Sequence, residues 1–289
     1  MRLIADLINE LGRGLQRRSY FRAAAVAYNS ASRLSPSWAV PWFNQGLMAK
    51  FAHRWQESFR FTVRATELDP NFKPAWWNLG IAATAIGNWT VARSAWTQYG
   101  VTIPAGDGPL EMALGGIPIR IDPNGAPEVV WCERLDPARA RIVSIPFPES
   151  RHACGDVLLT DGEPRGHREH AGKQVSVFNE LEVLITSKLS TYSATLNAPD
   201  EDAIRSLFSM GEIHDITIED WSTVDLLCRA CSEGLPQSHS SESPTSEWKT
   251  KRLIGFAATN SDQVDRLLAE WSAADSSRSA SKGECVLQR

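Results

Sequence analysis

Apolar residues recur every three or four positions through the first hundred residues, which predicts a series of amphipathic helices. Trp55, Thr62 and Ala65, for example, fall on one face of such a helix. One proline ends the helical pattern of each repeat, because proline cannot continue a helix; these prolines are Pro36, Pro70 and Pro104.

The helical segments repeat with a period of 34 residues. Gly46 and Gly80 share one position in the middle of a helix, where glycine costs up to about 1 kcal/mol relative to alanine. Close approach of a second helix explains why this cost is tolerated. A period of 34 predicts a helix–turn–helix solenoid, in which three repeats are about the minimum for stability and an open end needs a cap. The other matched pairs are Trp42 and Trp76, Asn44 and Asn78, Ala49 and Ala83, and Trp55 and Trp89.

Residues 5–104 resemble the tetratricopeptide repeat (TPR) family. The middle copy departs mildly from the family pattern at Gln45 and Ser58. The resemblance implies that the first helix of each repeat lines a groove that binds another protein. The signature residues of the last copy are Trp76, Leu79, Gly80, Ala92, Trp96, Tyr99 and Pro104. The implied groove residues are Asn9, Arg13, Phe43, Leu47, Lys50, Trp77, Ile81 and Thr84.

Two adjacent tryptophans, Trp76 and Trp77, point about 100° apart on a helix. The repeat frame gives Trp76 a structural position inside its own hairpin and places Trp77 in the groove, one repeat after Phe43. Two interpretations of Trp77 and Phe43 remain open. They bind a partner, or they are buried against the domain that follows.

After a linker at 105–114, short runs rich in Val and Ile predict an antiparallel sheet or a partly open barrel over 115–190. Residues 191–273 read as two strand–helix units, which suggests a ferredoxin-like α/β sandwich. Asn260 or Ser261 is the expected N-cap of its second helix. A Ser/Pro-rich flexible loop is predicted at 233–247, and the aperiodic tail at 274–289 is predicted to be disordered. The predicted fold is therefore multidomain α + β, beginning with an α-solenoid of three hairpins.

Composition narrows the possible partners. The 289 residues carry a net charge of −4, so no overall basic field favours nucleic acid or an anionic membrane. No segment reaches the roughly 18 consecutive apolar residues of a membrane helix. The five cysteines are sparse and odd in number, which favours a reducing, cytoplasmic location over a disulfide framework.

Cys228, Cys231 and His239 make up half of a zinc-site pattern. A fourth ligand, His214 or Cys154, could complete the site in space. The alternative is a pair of free thiols, with no cofactor bound. His152 lies beside Cys154 in sequence, but no third group that would orient a Cys–His nucleophile is visible.

These features predict a non-enzymatic protein that binds another protein through its helical groove. The segments VWCERLDPARARIVSIPFPES, DVLLTDGEP and IEDWSTVDLLCRACSEG also resemble parts of bacterial TPR proteins, some of which serve as immunity proteins against toxins. This second resemblance implies a steric mechanism, in which the protein covers the active site of a toxin. A zinc-dependent regulatory or enzymatic domain around Cys228 and Cys231 is the alternative. A co-chaperone that reads a C-terminal carboxylate is disfavoured by the apolar Phe43 and Leu47.

Overall fold

A computed structural model describes residues 1–123, 125, 127–170, 172–223 and 248–289. The chain forms two compact units. The first comprises Met1–Met112 and Leu135–Ala138, and the second comprises Ala113–Arg134 and Arg139–Arg289.

Residues 1–112, all of which are described, contain six helices in three hairpins. The second helices of the hairpins begin at Phe21, Trp55 and Trp89, each 34 residues after the one before, as the repeat predicts. Each hairpin also contacts the next, through α2 with α3 and α4 with α5. The hairpins are α1 (Arg2–Arg17) with α2 (Phe21–Leu34), α3 (Ala39–Phe51) with α4 (Trp55–Leu68), and α5 (Lys73–Ala85) with α6 (Trp89–Tyr99).

Trp42 and Trp76 fix the turn that precedes their own helix. The indole Nε1 of Trp42 donates to the carbonyl of Pro36 at 3.1 Å, and Nε1 of Trp76 donates to the carbonyl of Pro70 at 2.8 Å. The same bond therefore recurs one repeat later. This contact gives both tryptophans a structural role.

The described strands of 116–185 close into a barrel with the order β1-β2-β3-β4-β5. Neighbours along the chain pair antiparallel, but β1 and β5 pair parallel, with Ile119 opposite Phe178. The prediction of an antiparallel or partly open sheet is therefore corrected at this closure. Five strands that alternate in direction leave the first and the last running the same way, so closing the barrel forces one parallel pair. The strands are β1 (Gly116–Ile121), β2 (Glu128–Arg134), β3 (Arg139–Ile142), β4 (Val157–His170) and β5 (Lys173–Ile185).

A second sheet, in the order β10-β6-β8-β7, has antiparallel neighbours throughout. The predicted strand–helix pairs are present in it. The side chain of Asn260 accepts a bond from the backbone of Gln263 at 3.1 Å, so Asn260 is the N-cap of α8. The elements are β6 (Ser190–Asn197), α7 (Glu201–His214), β7 (Thr217–Asp220), β8 (Lys251–Ala258), α8 (Ser261–Ala273), β9 (Ser279–Ala280) and β10 (Glu284–Leu287).

The two helices α7 and α8 share one core with this sheet, in which Leu207, Phe256 and Trp271 are buried. Barrel and sheet also share a smaller cluster around Trp221, whose Nε1 donates to the carbonyl of Ile145 at 2.9 Å.

The C-terminal tail is ordered, and the prediction of disorder over 274–289 is wrong. Strand β10 pairs with β6, and β9 adds two further residue pairs. Arg289 donates to the buried carboxylate of Asp156 at 2.7 Å and, through its backbone N–H, to the hydroxyl of Ser190 at 3.0 Å. Edge pairing and one buried ion pair thus order a segment too short to show any periodic pattern of its own.

The described residues include no helix with both the length and the apolar character needed to span a membrane.

Candidate functional site

The eight predicted groove residues lie on the first helices of the three hairpins, and the structure divides them into two sets. Four are buried, each at most 3% exposed: Asn9, Lys50, Ile81 and Thr84. Asn9 accepts a bond from Asn44 Nδ2 at 2.9 Å, which ties α1 to α3. Their side chains therefore offer almost no surface to a partner in this structure.

The other four residues, Arg13, Phe43, Leu47 and Trp77, keep solvent-accessible area. Arg13 is exposed and forms an ion pair with Glu10 of its own helix at 2.9 Å. Leu47 is half-buried on α3, one turn after Phe43. The partner surface over all eight residues stays a prediction, and these four are the members that a partner can reach.

Phe43 and Trp77 each belong to an aromatic pair. The ring centroid of Phe43 lies 4.9 Å from that of Phe72, and the centroid of Trp77 lies 4.8 Å from that of Tyr99. Trp77 also meets the buried ring of Trp96 at 5.1 Å, so its indole is held from two sides by its own hairpin. We call Phe43, Phe72, Trp77 and Tyr99 the aromatic pairs. All four residues retain exposed area.

The proposed zinc ligands Cys228, Cys231 and His239 lie outside the described residues, as does the predicted loop at 233–247. Cys154 and His214, the suggested fourth ligands, are described. His214 Nε2 lies 2.9 Å from Glu270 Oε2, within hydrogen-bond distance. Within the described part of the chain, no group of three or more His, Cys, Asp or Glu side chains is placed to hold a metal ion.

The barrel unit contains a buried His–Glu pair. His152 Nδ1 lies 2.7 Å from the carbonyl oxygen of Ser150, and Nε2 lies 2.9 Å from Glu180 Oε1. Burial lowers the pKa of His152, but the hydrogen bond and the charge of Glu180 outweigh it and the pKa is raised. The raised pKa and the two acceptor partners favour the imidazolium form, in which both ring nitrogens donate. It therefore has no free nitrogen with which to activate Cys154, whose thiol pKa is raised by burial. The Cys–His pair is not arranged as a nucleophile and base.

Near this pair, burial raises the pKa of Glu128 to about 7. The negative charges of Glu219 and Glu149 add smaller increases. The hydrogen bond from the backbone N–H of Phe147 and the charge of His152 lower the pKa and so oppose the rise. A folded pKa above the ordinary 4.5 means that the folded state binds more protons between these two values, so the free energy of unfolding falls as pH rises through that window.

The Glu128→Gln variant should therefore be more stable than the wild type at pH 8, by roughly 1–3 kcal/mol, and nearly equal to it at pH 5. The amide oxygen can still accept the bond from Phe147, which is 3.0 Å long in the wild type. Denaturant unfolding at the two pH values measures the difference. Glu133→Gln on the same strand, where the half-exposed carboxylate pairs with Arg141, is the control and should change little at either pH. A Glu128→Gln variant that loses stability at pH 8 would show that the charge is needed.

Sequence reasoning missed two separate features of the structure. Glu180 is 28 residues from His152, and no motif spacing links them. The exposed apolar side of α1 was also missed, although the sequence marks α1 as amphipathic. Aligning α1 with the later repeats would have shown Leu7 and Leu11 at positions that the other hairpins bury.

Solved structures similar to this chain include three TPR domains, each covering 33% of it. The Sgt2 TPR domain from Aspergillus fumigatus has 20% identity and a TM-score of 0.31, and the chain spans 63% of that domain's length, just under two thirds. The second TPR of Spaghetti (RPAP3), bound to an HSP90 peptide, has 18% identity, a TM-score of 0.32 and 88% of its length covered. The TPR2B domain of yeast Sti1, in a pHsp70 complex, has 21% identity, a TM-score of 0.32 and 76% of its length covered. No protein-family model and no curated protein matches the chain.

Proposed function

We propose that this chain is a non-enzymatic protein-binding protein, and that the partner contacts the aromatic pairs together with Arg13 and Leu47. The observation that supports this most is the recurrence of a partly exposed aromatic pair on two successive hairpins, at Phe43 and Trp77. A surface that only stabilised the fold would not need to keep these rings in contact with solvent.

The chemistry of the residues suits this role. Tyr, Trp and Arg dominate the binding energy of protein interfaces, and aromatic rings that are already held in place lose little conformational entropy on binding. Trp77 is held between Trp96 and Tyr99, and Phe43 against Phe72, so both are preorganised.

The partner that we propose is a toxin domain. This step rests on the resemblance of three sequence segments to bacterial toxin-immunity proteins, and the mechanism would be steric: the bound chain covers the active site of the toxin. We further propose that the described residues 190–223 and 248–287 form a ferredoxin-like sandwich. The strand order β10-β6-β8-β7 and the two connecting helices support that assignment.

Affinity capture followed by titration calorimetry with the captured protein tests the proposal. Trp77→Ala and Arg13→Ala should each weaken binding by about tenfold or more, since interface hot spots cost well over 1 kcal/mol. The partner should be a toxin domain whose activity the wild-type chain blocks.

Two control variants separate binding from folding. Trp42→Ala removes a half-buried indole from the same row of helices but outside the proposed surface, so it should lower the melting temperature and leave affinity unchanged. Arg64→Ala breaks an ion pair with Glu67 that has nearly the same geometry as the Arg13–Glu10 pair. If Trp77→Ala and Arg13→Ala bind as tightly as these controls, the surface is misassigned.

A further inference from the structure

A short segment after β3, residues 145–147, is held by side chains and not by a strand ladder. Its middle residue is a proline, which has no N–H, so Ile145 and Phe147 supply its two backbone donors. Ile145 donates to Glu219 Oε2, and Phe147 donates to Glu128 Oε2 at 3.0 Å. Both donors of the segment therefore bond to carboxyl groups. We call residues 145–147 the connecting segment.

The two carboxyl groups come from different sheets. Glu128 is the first residue of β2 in the barrel, and Glu219 lies on β7, at one edge of the second sheet. The indole of Trp221 adds a third contact: its ring lies 5.0 Å from that of Phe147, and its Nε1 donates to the carbonyl of Ile145. The connecting segment thus joins the barrel to the second sheet through three side chains.

Negative charge on these carboxyl groups is unfavourable while they hold the connecting segment. Glu128 and Glu219 are both partly buried, and burial is the largest cause of the raised pKa of each. The charge of Glu219 raises the pKa of Glu128 further, so the two carboxylates repel each other once both are ionised. The cations around the pair oppose this rise without cancelling it. The titratable and charged groups that face the pair are Glu149, His152, Cys154 and Arg168.

Opening of the connecting segment returns these carboxyl groups to water, where their pKa values are ordinary. Between the ordinary 4.5 and the value of about 7 for Glu128 in the closed form, the open form is ionised and the closed form is protonated. Opening therefore releases a proton in this window. It becomes more frequent as pH rises from 4.5 to 7 and levels off above that range, whereas acidification closes the segment.

We propose that the connecting segment is a pH-sensitive latch between the barrel and the second sheet, held closed in acid by the carboxyl groups of Glu128 and Glu219 and loosened as they ionise. A backbone ladder would join the two sheets without this dependence on proton concentration. The latch lies in the second compact unit. It is independent of the function proposed above, whose surface lies on the helices of the first unit.

Amide hydrogen exchange, corrected for the intrinsic exchange rate at each pH, tests the latch. Protection of the Ile145 and Phe147 amides should fall by at least about tenfold between pH 5 and pH 8. Both amides should also exchange faster than those of β8 at every pH, because the opening is local. The double variant Glu128→Gln, Glu219→Gln keeps an acceptor oxygen at both sites and should lose the pH dependence.

Glu133→Gln is the matched control. Its half-exposed carboxylate also lies on β2 but pairs with Arg141, so this variant should keep the wild-type fall in protection. Wild-type protection that does not change with pH overturns the proposal. A fall that persists in the double variant also overturns it. So does exchange of Ile145 and Phe147 at the rate of β8, which would mean that only global unfolding exposes them.

Discussion

Gly80→Ala should destabilise the protein by about 2 kcal/mol or more, even though alanine is the better helix former. A Cβ at this position would lie 2.5–2.6 Å from three ring atoms of Trp96, well inside van der Waals contact. Trp96 is fully buried and packed edge-on against Trp77, so its ring cannot move aside at low cost. Overpacking of about 1–3 kcal/mol or more outweighs the gain of up to about 1 kcal/mol in helix propensity.

Gly14→Ala is the matched control. Gly14 also lies within a helix, but no atom comes within 4 Å of a Cβ there. The same substitution should therefore raise the free energy of unfolding by about 0.5–1 kcal/mol, through the backbone alone. Gly46→Ala should fall between the two, because the nearest atom that it meets, at 2.7 Å, is the methyl carbon of a small side chain, Thr62.

Denaturant unfolding of the three variants at one protein concentration measures this order. A neutral or stabilising Gly80→Ala would show that the two helices of the last hairpin are not in close contact. The repeat would then not explain why glycine recurs at positions 46 and 80.

The helical part of the fold was accessible from sequence because its causes are local and repeated. The hydrophobic periodicity, the prolines and the recurring glycine predicted three hairpins. In the structure the second helices of the hairpins begin at Phe21, Trp55 and Trp89, which are separated by the predicted interval. Barrel closure was not accessible, since the parallel contact between β1 and β5 joins residues about 60 positions apart. The strand β10 was missed for the same reason: its partner β6 lies about 90 positions earlier.

The candidate surface was predictable only in part. A repeat frame fixes the angle at which a side chain leaves its helix, and this placed Phe43 and Trp77 at equivalent positions. It does not fix how deeply neighbouring helices enclose that side chain. Ile81 and Thr84 share the predicted face with Trp77, yet both are buried. Enclosure depends on contacts among several helices, which a single periodic pattern does not contain.

Glu180→Ala should cost about 3 kcal/mol of stability near pH 6, because it leaves the imidazolium of His152 buried without its counter-charge. Both side chains of the pair are 9% exposed. Glu180 also accepts a bond from the backbone N–H of Asp122 at 2.9 Å through its second oxygen. One carboxylate therefore joins β5, the turn after β1 and the segment that carries His152, and its loss affects all three.

The pH dependence gives this prediction a signature that a packing defect would not share. Burial alone lowers the pKa of His152, but the hydrogen bond and charge of Glu180 outweigh it, and the pKa lies above the ordinary 6.5. A raised pKa contributes stability that is fully present below the unfolded value and is lost as pH rises through the folded value. The destabilisation by Glu180→Ala should therefore be largest at acidic pH and shrink as pH rises past the pKa of His152.

Urea unfolding between pH 5 and pH 9 measures both the size and the sign of this effect. Glu163→Ala is the control: it removes an exposed carboxylate that pairs with Arg165 at 2.7 Å, and should cost less than about 1 kcal/mol at every pH. Glu180→Gln keeps an oxygen that can accept from His152 Nε2 but places an amide donor against the N–H of Asp122, so its loss should be intermediate. A Glu180→Ala loss that is constant across this range would mean that His152 is neutral in the folded protein. One of the two ring protons, inferred from the acceptor partners of both ring nitrogens, would then be absent.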